Sequence, residues 1–111
     1  MTKDEVMAMT DEQLDRTAMD ILGLGGETFP FSLHITAALE LAEHRMRKGN
    51  GWGFTLVAER DDSGWAATFD NLAGKVFRAT GDVVREKIRY SSPARAIVRA
   101  FILSMTEDEG D

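Results

Sequence analysis

At 111 residues, 43% apolar and 29% charged, the chain has the make-up of a single globular domain that buries about two-thirds of its unfolded surface. Cysteine is absent, which excludes disulfides, thiolate metal sites and cysteine nucleophiles. No apolar run reaches the ~18 residues of a membrane span, and the N-terminus is acidic rather than a basic leader, so the expected setting is the cytoplasm with no membrane contact.

The net charge of −6 is unevenly spread. Residues 1–43 hold nine acids against Lys3 and Arg16. Residues 75–99 hold seven bases against Asp82 and Glu86, and the tail ends Glu107, Asp108, Glu109, Asp111. Such asymmetry marks either an interaction surface or solvated faces that pair within the fold.

The first helix signals lie in the acidic segment. Thr2 and Glu5 have capping-box spacing, and so do Thr10 and Gln13, which predicts a short helix to about Met9 and a second to about Leu22. Acids in both first turns favour the positive end of the helix dipole. Leu14, Ala18, Ile21 and Leu22 form one apolar stripe, and Gly23 with Gly25 and Gly26 stops the second helix. Pro30 disfavours helical geometry at Phe29, so the chain is expected to be extended from Glu27 to Phe31. Ser32 is then expected to cap a helix from Leu33 to about Lys48, with Ile35, Ala38, Leu39, Ala42 and Met46 turned inward and Gly49 as the stop.

Period-two alternation follows. Trp52 to Arg60 reads as a strand with Trp52, Phe54, Leu56 and Ala58 on one face. Asp61 to Gly64 is a turn. Trp65 to Asp70 alternates with Trp65, Ala67 and Phe69 on one face, Asn71 to Gly74 turns, and Lys75 to Thr80 is a third strand. Gly81-Asp82 suits a two-residue hairpin turn into Val83–Tyr90, a segment that reads as a fourth strand or as helix. Ser92 as cap and Pro93 at the first helical position open a last helix to about Met105. Ala94, Ile97, Val98, Ala100, Phe101, Ile102 and Leu103 cover most of its circumference, so it is expected to be buried on more than one side. Arg95 and Arg99 are expected to mark its one exposed edge. The fold class expected is therefore α+β, a single helix–antiparallel-sheet–helix sandwich with a meander of three or four strands and three to four helices. Acidic helices over 2–22, a core over 29–105 and an acidic tail over 106–111 make up one domain.

Phe29 to Ser32, Ile35 to Leu41, Gly64-Trp65 with Phe69, Ala79-Thr80-Gly81 and Pro93 to Ala100 stand in an order that resembles small bacteriophage proteins of the phage ABA-sandwich and NinX-like family. The resemblance spans most of residues 10–105. It implies a helix–sheet sandwich and a phage or prophage origin, in a host bacterial cytoplasm, and implies no catalytic residues. The chain departs from the pattern at Val83–Tyr90, a basic insertion where the family passes almost directly from the glycine to the last helix.

Motifs that carry chemistry are absent. His34 and His44 lie about 15 Å apart along one helix and cannot share a metal. Glu40 and His44 are one turn apart without an HExxH context. Gly23-Leu24-Gly25-Gly26 follows a helix and precedes a proline, so it is no dinucleotide loop, and Asp61-Asp62-Ser63-Gly64 lacks the further ligands of a calcium loop. No serine sits in a nucleophile elbow. Trp52, Phe54, Trp65 and Phe69 alternate with small and polar residues as core residues do. No enzyme activity, cofactor or metal is expected.

Two surfaces remain. The first is the acidic helical edge, Asp4, Glu5, Asp11, Glu12, Asp15 and Asp20, suited to a host or phage protein with a basic surface. Asp11 and Asp15 are one turn apart, and like charges at that spacing cost stability. The second is the basic set Lys75, Arg78, Arg85, Lys87 and Arg89 on a proposed hairpin of the third and fourth strands. A pI near 4.9 opposes direct nucleic-acid binding through it. The functional expectation is a non-enzymatic binder of a protein partner, an anti-defence inhibitor of the anti-CRISPR kind that covers a nucleic-acid-binding surface. The alternative is an accessory protein of phage replication or recombination, working in a complex or as a homodimer.

Overall fold

The computed structural model describes the backbone over 2–48, 51–59, 64–85 and 88–109, and the side chains of these residues outside 83–85, 88–90 and 107–109. Helix α1 (Lys3–Ala8) and helix α2 (Asp11–Leu22) begin where the capping boxes place them. At each start the threonine hydroxyl accepts from the third backbone N–H, and the Glu5 or Gln13 side chain reaches back to the threonine N–H. Gly23 ends α2 in the left-handed region at φ 73°, a conformation only glycine adopts without strain.

The next helix differs from expectation at its start and on its buried face. Phe31–Leu33 form one 3-10 turn, and helix α3 runs Ile35–Arg47 with no side-chain cap. Ser32 does not cap it, because its N–H and hydroxyl are both directed to the Asp15 carboxylate. The residues α3 buries are Ala37, Ala38, Leu41, Ala42 and Arg45, while Ile35, Leu39 and Met46 are exposed. The contacts at its far end account for the rotation. Arg45 donates to the Ser104 carbonyl at 3.1 Å and to the Met105 sulfur, and its guanidinium lies 3.8 Å over the Trp52 ring. The face that carries Arg45 inward at i−4 and i−7 carries Leu41 and Ala38 with it. The expected stop, Gly49, lies outside the described residues.

Strands β1 (Gly53–Ala58), β2 (Trp65–Asp70) and β3 (Val76–Thr80) form an antiparallel meander in chain order. Phe54 pairs with Phe69, and Phe69 with Phe77, so one sheet face presents a row of aromatic rings to the core. Most of the first turn, residues 61–63, lies outside the described residues. The second is closed by Asn71, whose side-chain oxygen accepts from the N–H groups of Ala73 and Lys75.

The basic insertion is neither a fourth strand of this sheet nor a helix. It folds on itself as a separate hairpin, β4 (Asp82–Arg85) against β5 (Ile88–Ser91). Gly81 is a junction rather than a turn. Its N–H extends the β2–β3 ladder to the Trp65 carbonyl at 3.0 Å, and its carbonyl accepts the Ser92 N–H at 3.1 Å. A Cβ at Gly81 would overlap the Ser92 carbonyl, so the two backbones meet here because the residue is glycine.

Helix α4 (Pro93–Glu109) opens on Ser92, whose hydroxyl accepts the Arg95 N–H. Every residue from Ala94 to Met105 is buried. The helix packs on β2, β3, α1, α2, α3 and the 3-10 turn, which is why its apolar surface runs all round. The architecture is α+β: among the described residues there are four α-helices, with a three-stranded antiparallel meander and the β4–β5 hairpin between α3 and α4 in the chain.

Candidate partner-binding surface

The two arginines of α4 are not an exposed edge. Arg95 and Arg99 are 4% and 3% exposed, and each joins elements distant in sequence. Arg95 grips Asp11 with two prongs, Nε to Oδ1 at 2.7 Å and Nη2 to Oδ2 at 2.9 Å, while Nη1 donates to the Gly81 carbonyl. Arg99 gathers the carbonyls of Thr80, Asp82 and Met7. Burial and the neighbouring Arg95 cation push the Arg99 pKa down from its usual value, and Asp11 and Asp82 oppose them. A planar guanidinium satisfies a carboxylate and several carbonyls at once, which suits it to a junction of strand ends and helix ends.

These contacts divide the acidic edge. Asp15 is 4% exposed and accepts both the N–H and the hydroxyl of Ser32, tying α2 to the 3-10 turn. Its carboxyl is pushed up, first by desolvation and further by the Asp11 charge; the two Ser32 hydrogen bonds and, more weakly, Arg95 oppose this. The fold therefore explains the like-charged Asp11–Asp15 pair that looked unnecessary in the sequence: one carboxylate holds Arg95 and the other holds Ser32. Lysine at either position would lose these contacts, so charge reversal there changes the fold's stability as well as its surface.

Asp4, Glu5, Glu12 and Asp20 remain at the surface. Glu5 also completes the cap of α1. Glu12, Arg16 and Asp20 follow one another at i, i+4 on the outer face of α2. Farther along, Glu27, Glu40 and Glu43 are also exposed, the last paired with Arg47 on α3.

Two surface cavities flank the chain that leaves α2. One, of about 430 Å³, is lined by Met9, Glu12, Gln13, Arg16, Thr17 and Thr28. The other, of about 270 Å³, has walls of Met19, Leu24, Phe29 and Phe31, with Glu27 and Glu40 beside them. Thr28 faces the first and its neighbours Glu27 and Phe29 face the second. Leu24 and Phe29 are each 51% exposed, and the Phe29 ring lies 5.2 Å from the inner Phe31 ring, tilted to it by 49°. The sequence had given Gly23 to Gly26 only as a helix stop and Glu27 to Phe31 as extended chain. Leu24 between glycines and Phe29 before Pro30, two large apolar residues in such a segment, were the signal for the second cavity.

The basic set is not brought together on one ribbon. Lys75 directly precedes β3 and Arg78 lies on it, with the Arg78 side chain paired to Glu59 just beyond the end of β1. Arg85 and Arg89 lie on the separate β4–β5 hairpin, and Lys87 lies outside the described residues. Arg95 and Arg99, the last two bases of this stretch, are buried and so are not part of a surface.

Among the described residues, no group of three or more His, Asp or Glu side chains is placed to hold a metal ion. His34 is exposed, whereas His44 is half-buried with its ring edge-on to Phe101, and burial together with Lys48, Arg45 and Arg47 pushes its pKa down. Among the described residues, no helix is long and apolar enough to cross a membrane. No protein-family model matches the chain, nor does any curated protein or solved structure. The phage resemblance therefore rests on its short motifs.

Proposed function

We propose that this chain is a non-enzymatic protein-binding module that docks the acidic face of its N-terminal half on a basic surface of a protein partner. The observation that carries the reading is the division of labour among its acids. Asp11 and Asp15 are consumed in fixing α2 to α4 and to the 3-10 turn, and this holds Glu12, Asp20 and the nearby Glu27 outward on an anchored frame. Carboxylates held in place lose little freedom on binding, and complementary charge speeds encounter and selects partners. In the phage setting that the sequence resemblance implies, the partner is a host protein and the basic surface its nucleic-acid-binding groove, so the chain competes with nucleic acid and acts as an anti-defence inhibitor.

The test uses exposed positions only. The Asp4→Lys, Glu12→Lys, Asp20→Lys variant should stay folded and melt cooperatively, its midpoint lowered only by the loss of Asp4 and Glu12 from the first turns of α1 and α2. A bacterial protein that is retained by the immobilised wild-type chain, displaced by added duplex DNA and lost by the variant supports the reading. Equal retention by both chains, unaffected by DNA, sinks it.

A further inference from the structure

We infer that the cavity between α2 and the 3-10 turn is the socket for one large apolar side chain carried by a Lys/Arg-flanked segment of the protein partner. The inference rests on the reading of the acidic half as a protein-binding surface and specifies how that surface is anchored. Three observations support it.

The first is size. A cavity of about 270 Å³ is at or below the lower end of the roughly 300–1,000 Å³ typical of small-molecule sites, and it suits one or two side chains. The second is exposure of the walls. Met19 and Phe31 are buried and form the floor, while Leu24 and Phe29 stand 51% exposed, which is unusual for residues of that size next to a hydrophobic core. Buried apolar anchors in desolvated pockets dominate protein interfaces, with charged contacts at the rim. The third is charge. The polar residues lining the cavity are Glu27 and Glu40, both exposed, and Asp20 is exposed on the helix beside it. A second copy of this chain would bring a similar apolar patch ringed by acids against these acids. An anionic membrane surface would be repelled in the same way. A segment with Lys or Arg on either side of a Leu, Phe or Trp satisfies both the walls and the rim.

The experiment measures fluorescence anisotropy with three labelled dodecapeptides: one with a central Trp flanked by lysines, one with the Trp replaced by Gly, and one with the lysines replaced by Glu. The wild-type chain should bind the Lys–Trp peptide and prefer it over both others. Leu24→Ser with Phe29→Ser should weaken that binding about tenfold or more, the loss expected for one apolar anchor, with an unchanged melt. Glu27→Lys with Glu40→Lys should weaken it and flatten its salt dependence. If the Gly peptide binds as tightly as the Trp peptide, the socket is wrong while the acidic surface survives. If the Glu peptide binds as tightly as the Lys peptide, the acidic reading fails as well. Failure of all three peptides to bind overturns the socket too, and so does a dimer in sedimentation that Leu24→Ser with Phe29→Ser renders monomeric, since the occupant is then a second copy.

Discussion

Arg95 and Asp11, 84 positions apart in the chain, meet in a two-pronged ion pair with both nitrogens within 2.9 Å of their oxygens. The pair joins the first turn of α2 to the first turn of α4, and the same guanidinium reaches the Gly81 carbonyl at the end of the sheet. One side chain thus holds a helix, a strand end and the central helix in a fixed relation.

The two halves of this pair are not equivalent. Arg95 is buried, whereas the Asp11 side chain is 28% exposed. Asp11→Ala takes the carboxylate from a buried cation and should cost about 3 kcal/mol, while Arg95→Ala leaves a carboxylate that water can reach. Urea unfolding of the two single variants and the double variant should give a coupling energy above about 1 kcal/mol. A loss below about 0.5 kcal/mol for Asp11→Ala would show that the pair does not hold the N-terminal helices.

Asp15 makes stability depend on pH in an unusual direction for an acid. Its folded pKa lies above the ordinary 3.8, so between those two values the folded chain keeps a proton that the unfolded chain releases. Stability therefore falls as pH rises through that window, and the penalty persists at neutral pH. Asp15→Asn keeps an acceptor for the Ser32 N–H and offers an N–H to its hydroxyl without the charge. The variant should match or exceed wild-type stability at pH 7 and lose this part of the pH profile. Asp15→Ala should cost about 1–3 kcal/mol by leaving the Ser32 groups unsatisfied. Denaturant midpoints measured from pH 3 to pH 8 separate these outcomes, and a wild-type profile unchanged by Asp15→Asn would refute the assignment.

Gly81→Ala tests the junction between the two sheets. Its methyl would overlap the Ser92 carbonyl, and backbone rather than a flexible side chain would have to move. The expected loss is several kcal/mol, against about 0.5 kcal/mol or less for an ordinary surface substitution. Gly25→Ala, where a Cβ meets no atom within 4 Å, is the control. A small loss at Gly81 measured by thermal melting would mean that β3 and β4 are not pinned to the start of α4.

What the sequence revealed and what it hid follow the range of the forces involved. Thr2 with Glu5 and Thr10 with Gln13 satisfy helix ends with partners three residues away, so their spacing alone located α1 and α2. The alternation of Phe54 with Leu56 and of Trp65, Ala67 and Phe69 is likewise local, and the all-round apolarity of α4 announced its burial. Ser32 looked like a cap because nothing nearby competes for its hydroxyl, and the competitor, Asp15, is 17 residues away. Periodicity placed Ile35, Ala38, Leu39, Ala42 and Met46 inward on α3; Ala38 and Ala42 are buried, but Arg45, placed by Ser104 and Trp52, turns Leu41 in and leaves Ile35, Leu39 and Met46 out. A pair of arginines one turn apart on an apolar helix, and a pair of aspartates one turn apart on another, were the available sign of the latch. The arginines looked like an exposed edge and the aspartates like part of a docking edge until the fold put Arg95 against Asp11. Exposed carboxylates such as Glu12 and Asp20 have no intramolecular partner to encode, so no pattern in the sequence separates a docking surface from a merely soluble one.

The burial of α4 has a consequence for how the chain is made. Every other packed helix rests on it, yet among these elements it comes last in chain order. As the ribosome releases the chain, α2 emerges with Leu14 and Ala18 and has no surface to cover them, and Asp11 must wait for residue 95. The meander emerges with its aromatic face equally bare. Local helix and hairpin contacts form early, but the long-range closures that fix them come only when Pro93 to Met105 have left the exit tunnel. The domain therefore closes only once α4 is available, and a nascent chain stalled before α4 exposes the apolar faces that chaperones and proteases recognise.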